Sequence, residues 1–205
     1  MKYLLTLISI LFFFSCNITE PEDCAGVTWW IYTNTEIDVS EVKNNAMQKV
    51  SIYVDVQNIY YTTKQIHNCH FDYNAFWQKV ILNRKVVKAV AYAIESKDEK
   101  QRQFQNILRG IGFEVKLKPF IQRVDSSAKG DWDVGITVDI LEYAEESDII
   151  ILASGDGDFD ILVKKLIEKY NSIVEVYGVK QLTAISLINS ASKFISIESD
   201  LLLNP

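Results

Sequence analysis

Hydrophobic positions change period repeatedly between residues 47 and 205. Val50-Ser51-Ile52-Tyr53-Val54-Asp55-Val56 is apolar and β-branched, which predicts a buried strand ending at an acid. No helical pattern follows Asp55 immediately. Phe71, Ala75, Phe76, Val80 and Ile81 recur at helical spacing and predict a helix over 71–82. Further strands are expected over 86–94, 113–117, 148–153, 172–176 and 193–197. Helices are expected over 97–109, 133–146, 159–170 and 182–190. Gly110 and Gly112 punctuate the first of these, and Pro119 limits the strand that follows it. Ile149-Ile150-Ile151-Leu152 is an aliphatic run of the kind found in central parallel strands. Alternating strands and helices, with central strands apolar on both faces, predict an α/β fold: a three-layer α/β/α sandwich around a mainly parallel sheet.

In such sheets ligands bind beyond the carboxyl ends of the strands. The expected strand ends here are rich in acids. The first ends at Asp55, with Asn58 close behind. The fourth runs into Ser154-Gly155-Asp156-Gly157-Asp158-Phe159. Between them Lys129-Gly130-Asp131-Trp132-Asp133-Val134-Gly135 opens a helix that also carries Asp139. Carboxylates gathered at one rim repel one another unless a cation neutralises them. Magnesium and manganese suit such hard oxygen ligands. Gly155 and Gly157 are expected to allow a tight turn that aims Asp156 and Asp158 into the crevice. Helix capping is the competing role for Asp133, Asp156 and Asp158. It does not account for Asp55 where no helix is expected. Asp139 lies about 240° around the helix from Asp133, so it either binds a positioning lysine or faces solvent.

Other chemistries fit less well. Asp156-x-Asp158-x-Asp160 resembles the start of an EF-hand loop, but Ile161 and Ile167 stand where Gly and Glu are required. His67-Asn68-Cys69-His70 lacks a fourth ligand at zinc-site spacing. No glycine-rich phosphate loop is present. Basic residues are scattered through 49–129, and Tyr60, Tyr61 and Trp132 lie near the expected site, where they could stack bases.

The upstream segment differs in character. Lys2, the apolar run 4–14 and Ser15-Cys16 read as a leader over 1–16, with Cys16 as a lipidation candidate. Eleven apolar-rich residues are too few to span a bilayer. Residues 17–46 form an extension of uncertain purpose, and Met47 is an alternative start for a domain over 47–205. Three cysteines give no disulfide framework. The chain has 205 residues, of which 48% are hydrophobic and 23% charged, as in ordinary globular domains. Of the formal net charge of −6, residues 1–46 hold −4 and the rest −2. The domain is therefore not acidic enough to exclude a nucleic-acid substrate.

Taken in order, the strand-Asp55-x-x-Asn58 opening, the stretch 129–139 and the stretch 154–159 resemble the NYN domain. This is a branch of the PIN-like ribonuclease superfamily, and the likeness is to its LabA-like members. Val56-Gln57 departs from the usual Gly before the Asn. The resemblance implies a metal-dependent RNA endonuclease that hydrolyses phosphodiester bonds. Asp55, Asp133, Asp156 and Asp158 would be the catalytic and metal-binding set for Mg2+ or Mn2+. Asn58, Ser154, Lys129 and Asp139 would bind or orient substrate. RNA, expected to be single-stranded, would be the partner, and a homodimer stays open. Two alternatives remain: a non-catalytic RNA- or protein-binding module on the same fold, and a membrane-anchored interaction protein. The nuclease reading implies a cytoplasmic location, whereas lipidated Cys16 implies a membrane.

Overall fold

A computed structural model describes residues 47–95, 98–118, 121–122, 128–129 and 132–203. Expectations for 1–46, including lipidation at Cys16, lie outside the described residues, as does Asp131. Strands are β1 (Gln48–Asp55), β2 (Arg84–Ile94), β3 (Glu114–Lys118), β4 (Ile121–Gln122), β5 (Ala128–Lys129), β6 (Ile149–Ala153), β7 (Ile173–Gly178) and β8 (Lys193–Ser196). Helices are α1 (Val56–His67), α2 (Tyr73–Ile81), α3 (Glu99–Ile111), α4 (Asp133–Tyr143), α5 (Asp160–Tyr170) and α6 (Ile185–Ser190). Six strands form one sheet in the order β3-β2-β1-β6-β7-β8, with every pairing parallel. β4 and β5 make a separate antiparallel pair.

Successive side chains of a strand point to opposite faces, so a strand covered on both sides must be apolar throughout. β1 sends Val50, Ile52 and Val54 into one core with Ile59 of α1, Phe76 of α2 and Leu108 of α3. It sends Tyr53 into the other, with Ile136 and Ile140 of α4, Leu162, Val163 and Leu166 of α5, and Leu187 of α6. Ile151 joins the first core and Ile150 the second, and both are fully buried. Each such side chain contributes about 1.5–3 kcal/mol through removal from water. The expected α/β/α sandwich is thus the observed fold.

Helix α1 departs from expectation. Its buried residues are only Val56, Ile59 and Thr63, while Tyr60 and Tyr61 are exposed. Apolar side chains on both faces blur the helical period. The helix is stabilised at its ends. Asp55 caps the start through its side chain, and Asn68 closes the end in the left-handed region at φ 51°. The reading of Asp55 as an acid with no capping role is therefore corrected. Asp133, in contrast, is the first helical residue of α4. The cap position belongs to Trp132, which makes no side-chain cap bond.

Candidate active site

β1 and β6 are neighbours at the centre of the sheet, with Val54 paired to Ala153. The chain leaves β1 into α1 on one face and leaves β6 towards α5 on the other. Their carboxyl ends therefore flank the point where the winding direction reverses, which is where such sheets open a crevice.

Asp55 stands at this point and is 8% exposed. One oxygen accepts the Asn58 backbone N–H at 3.0 Å. Burial, with smaller contributions from the charges of Asp133 and Asp156 and countered in part by the backbone N–H bonds from Asn58 and Gln57, pushes its carboxyl up to about 6. Those contributions place Asp133 and Asp156 within electrostatic reach of Asp55. Three of the four acids expected to act together thus lie within electrostatic reach at one rim of the sheet.

Asn58 fastens the two strand ends. Its side-chain oxygen accepts the Gly155 N–H at 2.9 Å. Ser154 is fully buried, donates its backbone N–H to the Tyr177 carbonyl, and accepts the Asp156 N–H at its hydroxyl. Asp156 in turn accepts the Asp158 N–H at 3.0 Å, capping the short turn Gly157–Phe159. Asn58 and Ser154 thus shape the loop that presents Asp156. Asp158 is exposed. Neither Gly155 nor Gly157 has a positive φ. The expected tight turn is present at Gly157–Phe159, but close approach rather than backbone freedom accounts for the glycines: a Cβ on Gly155 would lie 3.1 Å from the Leu182 carbonyl oxygen, and one on Gly157 3.0 Å from Ala184.

Asp133 is placed by its neighbour. The Trp132 indole N–H donates to the Ala93 carbonyl at 2.9 Å, and its ring lies 5.2 Å from that of Tyr92. The ring also folds over Gly135, where a Cβ would come within 2.6 Å of it. The Trp-Asp-Val-Gly sequence therefore locks the start of α4 against the end of β2. Of Lys129, only its backbone position is described, paired with Ile121.

Asp139 belongs to a different arrangement. It is 9% exposed and accepts from the Tyr92 hydroxyl at 2.6 Å and from the Lys116 ammonium at 2.7 Å. Burial, followed by the bond to Asp139, raises the Tyr92 hydroxyl well above its usual range. Of the two roles open to Asp139, the structure selects the lysine partner. Sequence reasoning did not single out Lys116 or Tyr92 for this role. The available signal was a lysine inside a short strand, two residues from another lysine.

Among the described residues, no three carboxylate, imidazole or thiol groups converge closely enough to hold a metal ion as they stand. The donor set still suits a hard divalent cation. Asp55 is a buried carboxylate in the field of two others, and Asp156 has one oxygen outside the capping bond named above. Magnesium is commonly held by one or two carboxylates, with waters and substrate phosphates completing its shell. Asp55, Asp133 and Asp156 fit that kind of open site rather than a closed cage.

An all-parallel sheet with an acid-lined switch point has the architecture of PIN-like, nuclease-type domains. The family model of the NYN domain, one such domain, matches residues 49–198. The chain belongs to the NYN domain family, in its LabA-like branch. It is 26% identical over 159 residues to the low amplitude and bright protein LabA of Synechococcus elongatus, spanning 73% of this chain and 83% of that one. It is also similar to a crystal structure of a Vibrio parahaemolyticus protein of unknown function, at 55% identity and a TM-score of 0.74. That match covers 77% of this chain and 97% of the other. No helix among the described residues is long and apolar enough to cross a membrane.

Proposed function

We propose that this chain is a metal-dependent ribonuclease that hydrolyses phosphodiester bonds of single-stranded RNA in the cytoplasm. The observation that carries the reading is Asp55. This carboxylate is buried at the switch point, and Asp133 and Asp156 add their charges to its field. Such a grouping is costly to a protein that does not use it. Membership of a nuclease-type family supports the same reading.

Asp55, Asp133 and Asp156 would hold Mg2+ or Mn2+, with Asp158 joining from the exposed side of the loop. Bound there, the ion supplies Lewis acidity towards a phosphate oxygen and an activated water. The chain's own residues do the positioning. Asn58 ties α1 to the β6 loop, so Asp55 and Asp156 keep their spacing. Ser154 fixes the backbone of Asp156. Trp132 fixes the start of α4 and hence Asp133. Asp139, held by Lys116 and Tyr92, keeps α4 against the sheet.

The test is cleavage of an unstructured RNA with Mg2+ or Mn2+. Asp156→Asn keeps the capping acceptor for Asp158 and removes the charge, so it should fold normally and lose at least about 100-fold in rate, about 2.7 kcal/mol of metal-assisted stabilisation. Cleavage that survives both EDTA and this substitution refutes the proposal.

A further inference from the structure

Helix α1 carries a feature that the acidic crevice leaves unexplained. Its outer face presents Tyr61, 61% exposed, and Tyr60, 45% exposed, with ring centroids 5.4 Å apart in an edge-to-face arrangement. The exposed His70 ring stacks on Tyr60 at 5.8 Å. Large exposed aromatic rings side by side are unusual on a surface with nothing to bind.

Charge selects the ligand. Residues 56–71 contain no Asp or Glu, in a chain with 27 acids and a net charge of −6. Lys64, one turn beyond Tyr60 and Tyr61, pairs with no carboxylate among the described residues. Its ammonium reaches only the Asn68 carbonyl, at 3.5 Å. The Thr62 and Thr63 hydroxyls turn back onto helix carbonyls, leaving rings, amides and an ammonium as the outer chemistry. Aromatic faces beside a lysine, on a stretch of chain without acids, suit a single-stranded nucleic acid: bases stack and phosphates find a cation. A protein partner has no such need for an acid-free stretch.

Position links this face to the proposed site. Asp55 is the residue immediately before α1, so Tyr60 and Tyr61 lie about 8–9 Å further along the helix axis. We propose that Tyr60 and Tyr61, with Lys64, form a base-stacking platform. It holds the nucleotides next to the scissile phosphate of a single-stranded RNA. The platform rests on the nuclease reading for the identity of that phosphate. It predicts tolerance of base identity, because every base offers a stacking face.

The test is fluorescence anisotropy of a labelled oligouridine with the full chain in EDTA, so that binding is read without cleavage. Stacking is lost in Tyr60→Ala/Tyr61→Ala, which should bind roughly 5- to 150-fold more weakly. The Phe/Phe counterpart should bind like the wild type, which separates lost stacking from a misfolded helix. An abasic oligomer of the same length should bind the wild type as weakly as the intact RNA binds the Ala/Ala variant. No RNA binding by the wild type, unchanged binding by Ala/Ala, or equal binding of abasic and intact oligomers each overturns the platform. A tyrosine-dependent complex that yields no product on adding Mn2+ upholds the platform and overturns the nuclease reading. Cleavage that proceeds with no dependence of binding on the tyrosines does the reverse.

Discussion

Replacing Asp55 with Asn should stabilise this protein while removing its proposed activity. The carboxyl is shifted from 3.8 to about 6 in the folded chain, chiefly by burial, with Asp133 and Asp156 adding to it. A displacement of about two units, at about 1.36 kcal/mol per unit, costs the folded state about 3 kcal/mol once the group ionises. The group is almost fully buried, so little of this is screened by solvent. Asn keeps an oxygen to accept the Asn58 N–H but must still bury its amide, so a net gain of about 1–3 kcal/mol is expected. The sign follows from the raised value. Below about pH 4 both folded and unfolded wild type are protonated there, and the two proteins differ little. Between about pH 4 and 6 the unfolded wild type ionises first and its stability falls relative to the variant. Above about pH 6 the full difference remains. The assay is thermal or urea unfolding of both proteins in EDTA from pH 4 to 8. At pH 7.5 the variant should melt higher by roughly 2–4 °C per kcal/mol. Mn2+ should narrow the gap, because an ion bound only to the folded wild type stabilises it. A variant less stable at pH 7.5, or a difference unchanged across the pH range, would refute the electrostatic account of the site.

Other perturbations probe the supports. Lys116→Met leaves the buried Asp139 carboxylate with Tyr92 as its remaining side-chain partner, and should cost about 1–3 kcal/mol in urea unfolding. Asn58→Ala removes the bond to Gly155 while sparing the Asp55 cap, which uses the backbone. It should cost about 1–2 kcal/mol, measured by thermal unfolding. Gly178→Ala would place a Cβ 2.5 Å from the Thr183 hydroxyl and 3.3 Å from the Ser154 carbonyl. About 1–3 kcal/mol of strain is expected, with reduced amide protection of the Ser154–Asp156 loop in hydrogen exchange.

The sheet was legible because burial on both faces leaves a compositional trace. Strands such as Ile149–Ala153 must be apolar at every position, and the helices between them follow the sequence period. Helix α1 was hidden because its buried set is small, Val56, Ile59 and Thr63, and its exposed Tyr60 and Tyr61 add apolar positions that blur the period. Its start and stop, Asp55 and Asn68, were readable as cap chemistry, but Asp55 was read as a site acid alone, and its capping of α1 was missed. The acids themselves were legible as residues at strand ends. Their environments were not, because burial and pairing arise from contacts distant in sequence. Asp139 and Lys116 are 23 positions apart, and Asn58 and Gly155 are 97 apart. Local spacing likewise made Gly155 and Gly157 look like turn residues, whereas the loop around 182–184 packing against them supplies the reason for both.

The most direct measurement is the initial rate of cleavage of an end-labelled single-stranded RNA at saturating Mn2+, for the wild type, Asp55→Asn and Asp139→Asn. The wild type should cleave, Asp55→Asn should lose at least about 100-fold, and Asp139→Asn should retain measurable turnover because Asp139 acts only through α4. A wild-type rate from Asp55→Asn, or no cleavage by the wild type, would contradict the assignment of the switch-point acids to RNA hydrolysis.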